Sequence, residues 1–92
     1  MTVFWSREAE RDLDRIFDYV LADDPDAAER LCDRIEARVL DLKSFPRLGR
    51  RGLRPGMREL VVPGTPYVVI YRTHTGRVDI LAVVHGARHR RP

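Results

Sequence analysis

The 92-residue chain has one cysteine, one lysine, one tryptophan and, beyond Pro46, almost no acid. A lone Cys32 cannot close an internal disulfide, which excludes a disulfide-stapled fold. Its place in a helical apolar stripe makes it a small core residue. No apolar run approaches the ~18 residues that a membrane helix requires. Met1-Thr2-Val3-Phe4-Trp5 leads straight into charged residues, so no signal peptide is expected and the protein is expected to be cytoplasmic. There is no Gly-x-Ser-x-Gly, and Ser6 and Ser44 look like helix-boundary residues, so acyl-transfer chemistry lacks a nucleophile. Gly49, Gly52 and Gly56 fall in a loop that no helix follows, which argues against a phosphate-binding glycine fingerprint. His85 and His89 have no third metal-binding residue nearby, so neither a metal nor a cofactor is expected.

What is present is a segregated charge. Residues 1–46 carry 12 acids and 7 bases, and residues 47–92 carry 10 arginines against Glu59 and Asp79, which yields the formal net charge of +3. A half with an excess of +8 can present a face attractive to polyanions or acidic protein segments. Of the 17 basic residues only Lys43 is not arginine, and the guanidinium fork suits phosphate and carboxylate.

The periodicity divides the chain clearly. Val3-Phe4-Trp5 has strand character, and Ser6 is placed to cap a helix with Glu8 and Glu10 in its first turn. Ala9, Leu13, Ile16, Phe17, Val20 and Leu21 form its apolar stripe. Asp24 followed by Pro25 starts a second helix, with Ala28, Leu31, Cys32, Ile35, Val39 and Leu42 on its buried side and Ser44-Phe45-Pro46 at its end. The short link between the two predicts an antiparallel hairpin. Pro46–Gly56, with three glycines, two prolines and four arginines, reads as a loop. Met57–Val62, Tyr67–Thr73 and Val78–His85 read as strands, joined by turns at Pro63–Pro66 and His74-Thr75-Gly76. The residues from Gly86 to Pro92 form a basic tail, expected to fray at its end. The expectation is a single α+β domain, residues 1–92, of order β-α-α-β-β-β. Its helical hairpin packs on one face of a mainly antiparallel sheet. The opposite face, the arginine loop and the tail are expected to lie together.

Arg58 and Arg72 interrupt apolar strands, where a charge either pairs or serves a site. Arg77, Arg90 and Arg91 read as solvated surface charge. His85 beside arginines has the composition of an acid–base group next to phosphate-holding cations.

With these elements placed, the set Trp5-Ser6, Ala9, Asp12-Leu13, Ile16, Tyr19, Pro25, Ala28, Pro46, Gly49-Arg50, Gly52, Met57-Arg58-Glu59-Leu60, Pro66-Tyr67-Val68-Val69, Tyr71-Arg72 and Val84-His85-Gly86-Ala87-Arg88 resembles the ParE/RelE superfamily of bacterial toxins. The resemblance covers nearly the whole chain and implies the toxin half of a type II toxin–antitoxin system. RelE-like members cut messenger RNA on the ribosome, whereas ParE-like members are associated with poisoning DNA gyrase. The nuclease pattern implies an arginine after the aromatic that opens the tyrosine-rich strand, but Val68 follows Tyr67. It implies two lysines on the preceding strand, where this chain has Arg58 and Glu59. It also implies a tyrosine beyond the final arginine. Arg88 matches that arginine, and no tyrosine follows it.

The leading expectation is therefore a ParE-like toxin that inhibits gyrase and is neutralised by a cognate antitoxin. Its target would be held by Arg50, Arg51, Arg54, Arg58, Arg72 and Arg88. One alternative is a ribosome-dependent mRNA endonuclease that uses Arg58, Arg72, His85 and Arg88. The other is a basic protein-interaction module without toxicity.

Overall fold

A computed structural model describes residues 1–89. The elements run β1 (Thr2–Trp5), α1 (Arg7–Leu21), α2 (Pro25–Leu40), a 3-10 turn (Asp41–Lys43), β2 (Arg50–Arg51), β3 (Met57–Val61), β4 (Tyr67–His74), β5 (Arg77–His85) and α3 (Gly86–His89). The five strands form one sheet in the order β1-β5-β4-β3-β2. Only the β1–β5 pair is parallel.

Local chemistry sets the helix starts. The Ser6 hydroxyl accepts a hydrogen bond from the Ala9 N–H at 3.0 Å, and Asp24 does the same for Ala27 at 3.1 Å. Pro25 occupies the first position of α2, where its missing N–H costs nothing. At the far end Gly76 adopts a φ of +73°, the left-handed value that lets β4 reverse tightly into β5.

The helical hairpin covers one face of the sheet. Ala9 and Ile16 of α1 and Ile35 and Val39 of α2 pack with Leu42 against Leu60, Val69, Tyr71, Val78, Ile80 and Val83. The register explains this set. Leu60 lies opposite Val69 and Val69 opposite Val83, so the three share a face. Between Ile70 and Tyr71 the ladder slips, pairing Ile70 with Ala82 but Tyr71 with Ile80. The extra residue, Leu81, changes the parity of β5. Val78 and Ile80 on one side of the bulge, and Val83 on the other, thereby all point into the core. Cys32 is buried, as its stripe position implied.

Three expectations need correction. The Pro46–Gly56 loop contains a strand, β2, because Arg50 and Arg51 align with Glu59 and Arg58 across from β3. The second helix finishes in a 3-10 turn at Asp41–Lys43. Gly86–His89 is a helical turn held against the molecule, since the Gly86 N–H donates to the Pro66 carbonyl at 2.8 Å and His89 reaches Glu59. The expected fraying, with Arg90 and Arg91, lies outside the described residues.

Candidate functional site: an arginine cleft and a separate aromatic cleft

Tyr71 organises the arginine loop. Its hydroxyl lies under the loop, where it accepts from the Gly49 N–H and donates to the Pro46 carbonyl, both at 2.8 Å. Burial pushes the phenol pKa up, opposed by the Gly49 hydrogen bond and the nearby Arg58 cation. Gly49 is required there because a Cβ would stand 2.7 Å from the Tyr71 ring and 2.8 Å from the Glu59 carbonyl oxygen. The Arg58 guanidinium then donates to the Gly49 carbonyl at 2.8 Å, and the Gly52 N–H to the Met57 carbonyl at 2.7 Å.

So fixed, the loop and β3 enclose a cleft of about 610 Å³ whose cationic lining is Arg47, Arg51, Arg54 and Arg58. Among the described residues no carboxylate lines it. Arg51 and Arg58 are directly opposite one another on β2 and β3. Of the residues singled out from sequence, Arg51, Arg54 and Arg58 come together here. Arg47 joins them and was missed, although its place in the same arginine-rich loop was the available signal.

The other singled-out residues stand elsewhere. Arg50 bonds Glu59 at 3.2–3.3 Å, and the His89 ring nitrogen Nε2 meets the second Glu59 oxygen at 2.9 Å. Glu59 is only 1% exposed and is the one buried charged residue among those described. Its partners fit the rule that a buried carboxylate must be paired. Arg72 lies across from Met57 and Asp79 and reaches past the Gly56 turn, not into the cleft lining. Arg77 is engaged by Asp79, which also meets His74 at 2.9 Å, and it stacks over Phe4. The expected single platform of outward guanidinium groups is thus divided.

His85 and Arg88 line a second cleft, of about 290 Å³, between α1 and the end of β5. His85 packs edge-on to Tyr67, with ring centroids 6.0 Å apart and an interplanar angle of 79°. His85 and His89 point to different surroundings, one to Tyr67 and the other to Glu59. Among the described residues no group of three His, Cys, Asp or Glu side chains could hold a metal ion. No described helix is long and apolar enough to cross a membrane.

This helical hairpin on a mainly antiparallel sheet is a fold shared with known toxins. The model of the ParE toxin of the type II toxin–antitoxin system parDE matches residues 3–90. A putative toxin of Sinorhizobium fredii, Y4kP, is 43% identical over 81 residues, covering 88% of this chain and 83% of that protein. Toxin RelE2 of Caulobacter vibrioides is 37% identical over 86 residues, covering 94% and 96%. The solved chromosomal ParDE toxin–antitoxin system from P. aeruginosa superposes with a TM-score of 0.87 at 27% identity, covering 92% of this chain and 95% of that one. The chain belongs to the ParE toxin family, within the ParE/RelE superfamily of type II toxin–antitoxin toxins.

Proposed function

We propose that this toxin is ParE-like in action: it inhibits DNA gyrase in the cytoplasm and is silenced by a cognate antitoxin. The observation that carries the reading is the separation of the four candidate nuclease groups. Arg58 lines the arginine cleft, Arg72 lies outside it, and His85 and Arg88 line the cleft beside α1. The endonuclease reading needs all four on one phosphate; His85 and Arg88 share a cleft, but Arg58 and Arg72, the other phosphate-holding cations of that set, lie outside it. The arginine cleft instead suits binding, with Arg47, Arg51, Arg54 and Arg58 gripping an acidic surface of the target. The test is a supercoiling assay with purified toxin and gyrase. Loss of supercoiling with accumulation of cleaved DNA complex is expected, and unchanged supercoiling without cleavage overturns the proposal.

One observation favours the endonuclease reading. Glu59 and His89 form an acid–base pair beside Arg50. Burial of Glu59 keeps that pair from substrate unless the C-terminal turn moves. Primer extension on translated message decides it, since cleavage that Glu59→Gln abolishes would establish this second role.

A further inference from the structure

Tyr71 and Gly49 tie down the start of the arginine loop. Its far end is a hairpin tip between β2 and β3. The Gly52 N–H donates to the Met57 carbonyl at 2.7 Å, and the Met57 N–H donates to the Arg54 carbonyl at 3.2 Å. Pro55 and Gly56 occupy the centre of that turn, and the φ of +80° at Gly56 matches a type II turn. Leu53, Arg54, Pro55 and Gly56 are therefore held out from the sheet in a fixed shape, and all four are exposed. Leu53 is 58% exposed and is not among the residues packed on the core. An exposed leucine is ordinary by itself. This one stands between Arg51 and Arg54 in the chain and lines the same cleft as the four arginines.

Three properties of the lining select a ligand. First, it is cationic and, among the described residues, carries no carboxylate. A protein partner presents both signs of charge, whereas a nucleic-acid backbone presents anions alone, and surfaces that bind it are far more positive. Second, no aromatic side chain lines it among the described residues. Single strands are held by stacking their bases on aromatic rings, so the lining suits a duplex better than a single strand. Third, it ends in an apolar side chain on a rigid tip. Such a wedge opens a base step of duplex DNA while neighbouring arginines hold the phosphates on either side.

We propose that the arginine cleft and its hairpin tip bind duplex DNA. Arg47, Arg51, Arg54 and Arg58 hold backbone phosphates, and Leu53 wedges between two base pairs. The inference rests on the gyrase reading for which DNA is bound: the acidic surface gripped by the cleft is the DNA that gyrase carries. A base step propped open keeps the ends of a cut strand out of line, so it favours the cleaved complex over the resealed duplex. Steps that unstack at little cost are the preferred sites.

The test uses intact toxin and a short fluorescent duplex, with binding read by anisotropy. With three to four phosphates held, affinity is expected to fall about 40- to 150-fold between 50 and 200 mM salt. The double variant Arg47→Ala, Arg54→Ala is expected to weaken binding at least tenfold and to lower the salt slope by about 2. The double variant Arg7→Ala, Arg11→Ala, the same loss of charge on α1, is expected to stay within about twofold of the parent. A duplex with a central mismatch is expected to bind severalfold tighter than the matched one, and Leu53→Ser to abolish that preference while keeping the salt slope. All five substituted residues are exposed, so the variants should fold, which circular dichroism checks. No binding at 50 mM salt, or binding that the Arg47, Arg54 variant leaves unchanged, overturns the DNA site. If such a toxin still blocks supercoiling, the gyrase reading stands and the cleft's ligand is an acidic protein surface. Tighter binding to the single strand overturns the choice of duplex, and a mismatch preference that survives Leu53→Ser overturns the wedge. DNA binding by a toxin that leaves gyrase untouched overturns the gyrase reading alone.

Discussion

Tyr71→Phe isolates the hydroxyl that ties the arginine loop to the core. The substitution keeps the ring, which is fully buried between the sheet and the loop, and removes one oxygen. The Gly49 N–H and the Pro46 carbonyl then lose partners that stood at 2.8 Å. A buried polar group left without its bond costs about 1–3 kcal/mol, and removing the phenol's own burial returns part of that, so a net loss of about 2–3 kcal/mol is expected. In a domain of this size that corresponds to a fall in Tm of about 10–20 °C. Thermal unfolding followed by circular dichroism measures it. Trypsin should also cut the loop at Arg47, Arg50 or Arg51 faster than in the parent. A Tm within about 2 °C of the parent, when each kcal/mol is worth about 4–8 °C, would refute the reasoning, because the hydroxyl would then carry no net stabilisation. The same residue sets an alkaline limit. Its folded pKa is raised above the ordinary value of 10.0, so the folded state holds its proton more tightly than the unfolded chain does. The stability is fully present below the unfolded pKa. It declines as pH rises from there through the folded value, and Tyr71→Phe should flatten that decline.

Other substitutions test other parts of the construction. Gly49→Ala should be more damaging than Tyr71→Phe, since its Cβ would meet ring and backbone atoms within 3 Å, and failure to raise the trypsin sensitivity of the loop would contradict this. Ile35→Ala removes a fully buried side chain of α2 and should lower stability by about 2–5 kcal/mol in urea unfolding. Ser6→Ala should cost about 0.5–2 kcal/mol, towards the upper end because the hydroxyl also serves Leu81. The Cys32 thiol, its pKa pushed up chiefly by burial and secondarily by Glu36, Asp33 and Asp14, should react slowly with a thiol reagent at pH 8 and quickly once the chain is unfolded.

Much of the fold was legible because it rests on local signals. Ser6 and Asp24 cap helices through their own side chains, Pro25 fixes the first turn of α2, and Gly76 fixes the last hairpin. These need only neighbours in sequence. The 3.6-residue stripe and the β-branched run Val68-Val69-Ile70 identified the helix and strand that bury them. The charge segregation also came directly from the sequence, and with it the expectation of a binding surface. Family likeness extended that reading to the toxin class, which the ParE family match shows.

Which arginines lie together was decided by the tertiary structure alone, for a physical reason: strand alternation, bulges and loop anchoring fix the side-chain directions, and those depend on partners far away in the chain. Arg50 and Arg51 are adjacent, yet one is bound to Glu59 and the other lines the cleft, because successive residues of a strand face opposite sides. The bulge at Ile70/Tyr71 aligns Ile80 and Val83 on one face, which no period of two would give. Tyr71 reads in sequence as one more aromatic strand residue. Its contacts with Pro46 and Gly49, 25 and 22 residues earlier, make it the post on which the cationic loop is built.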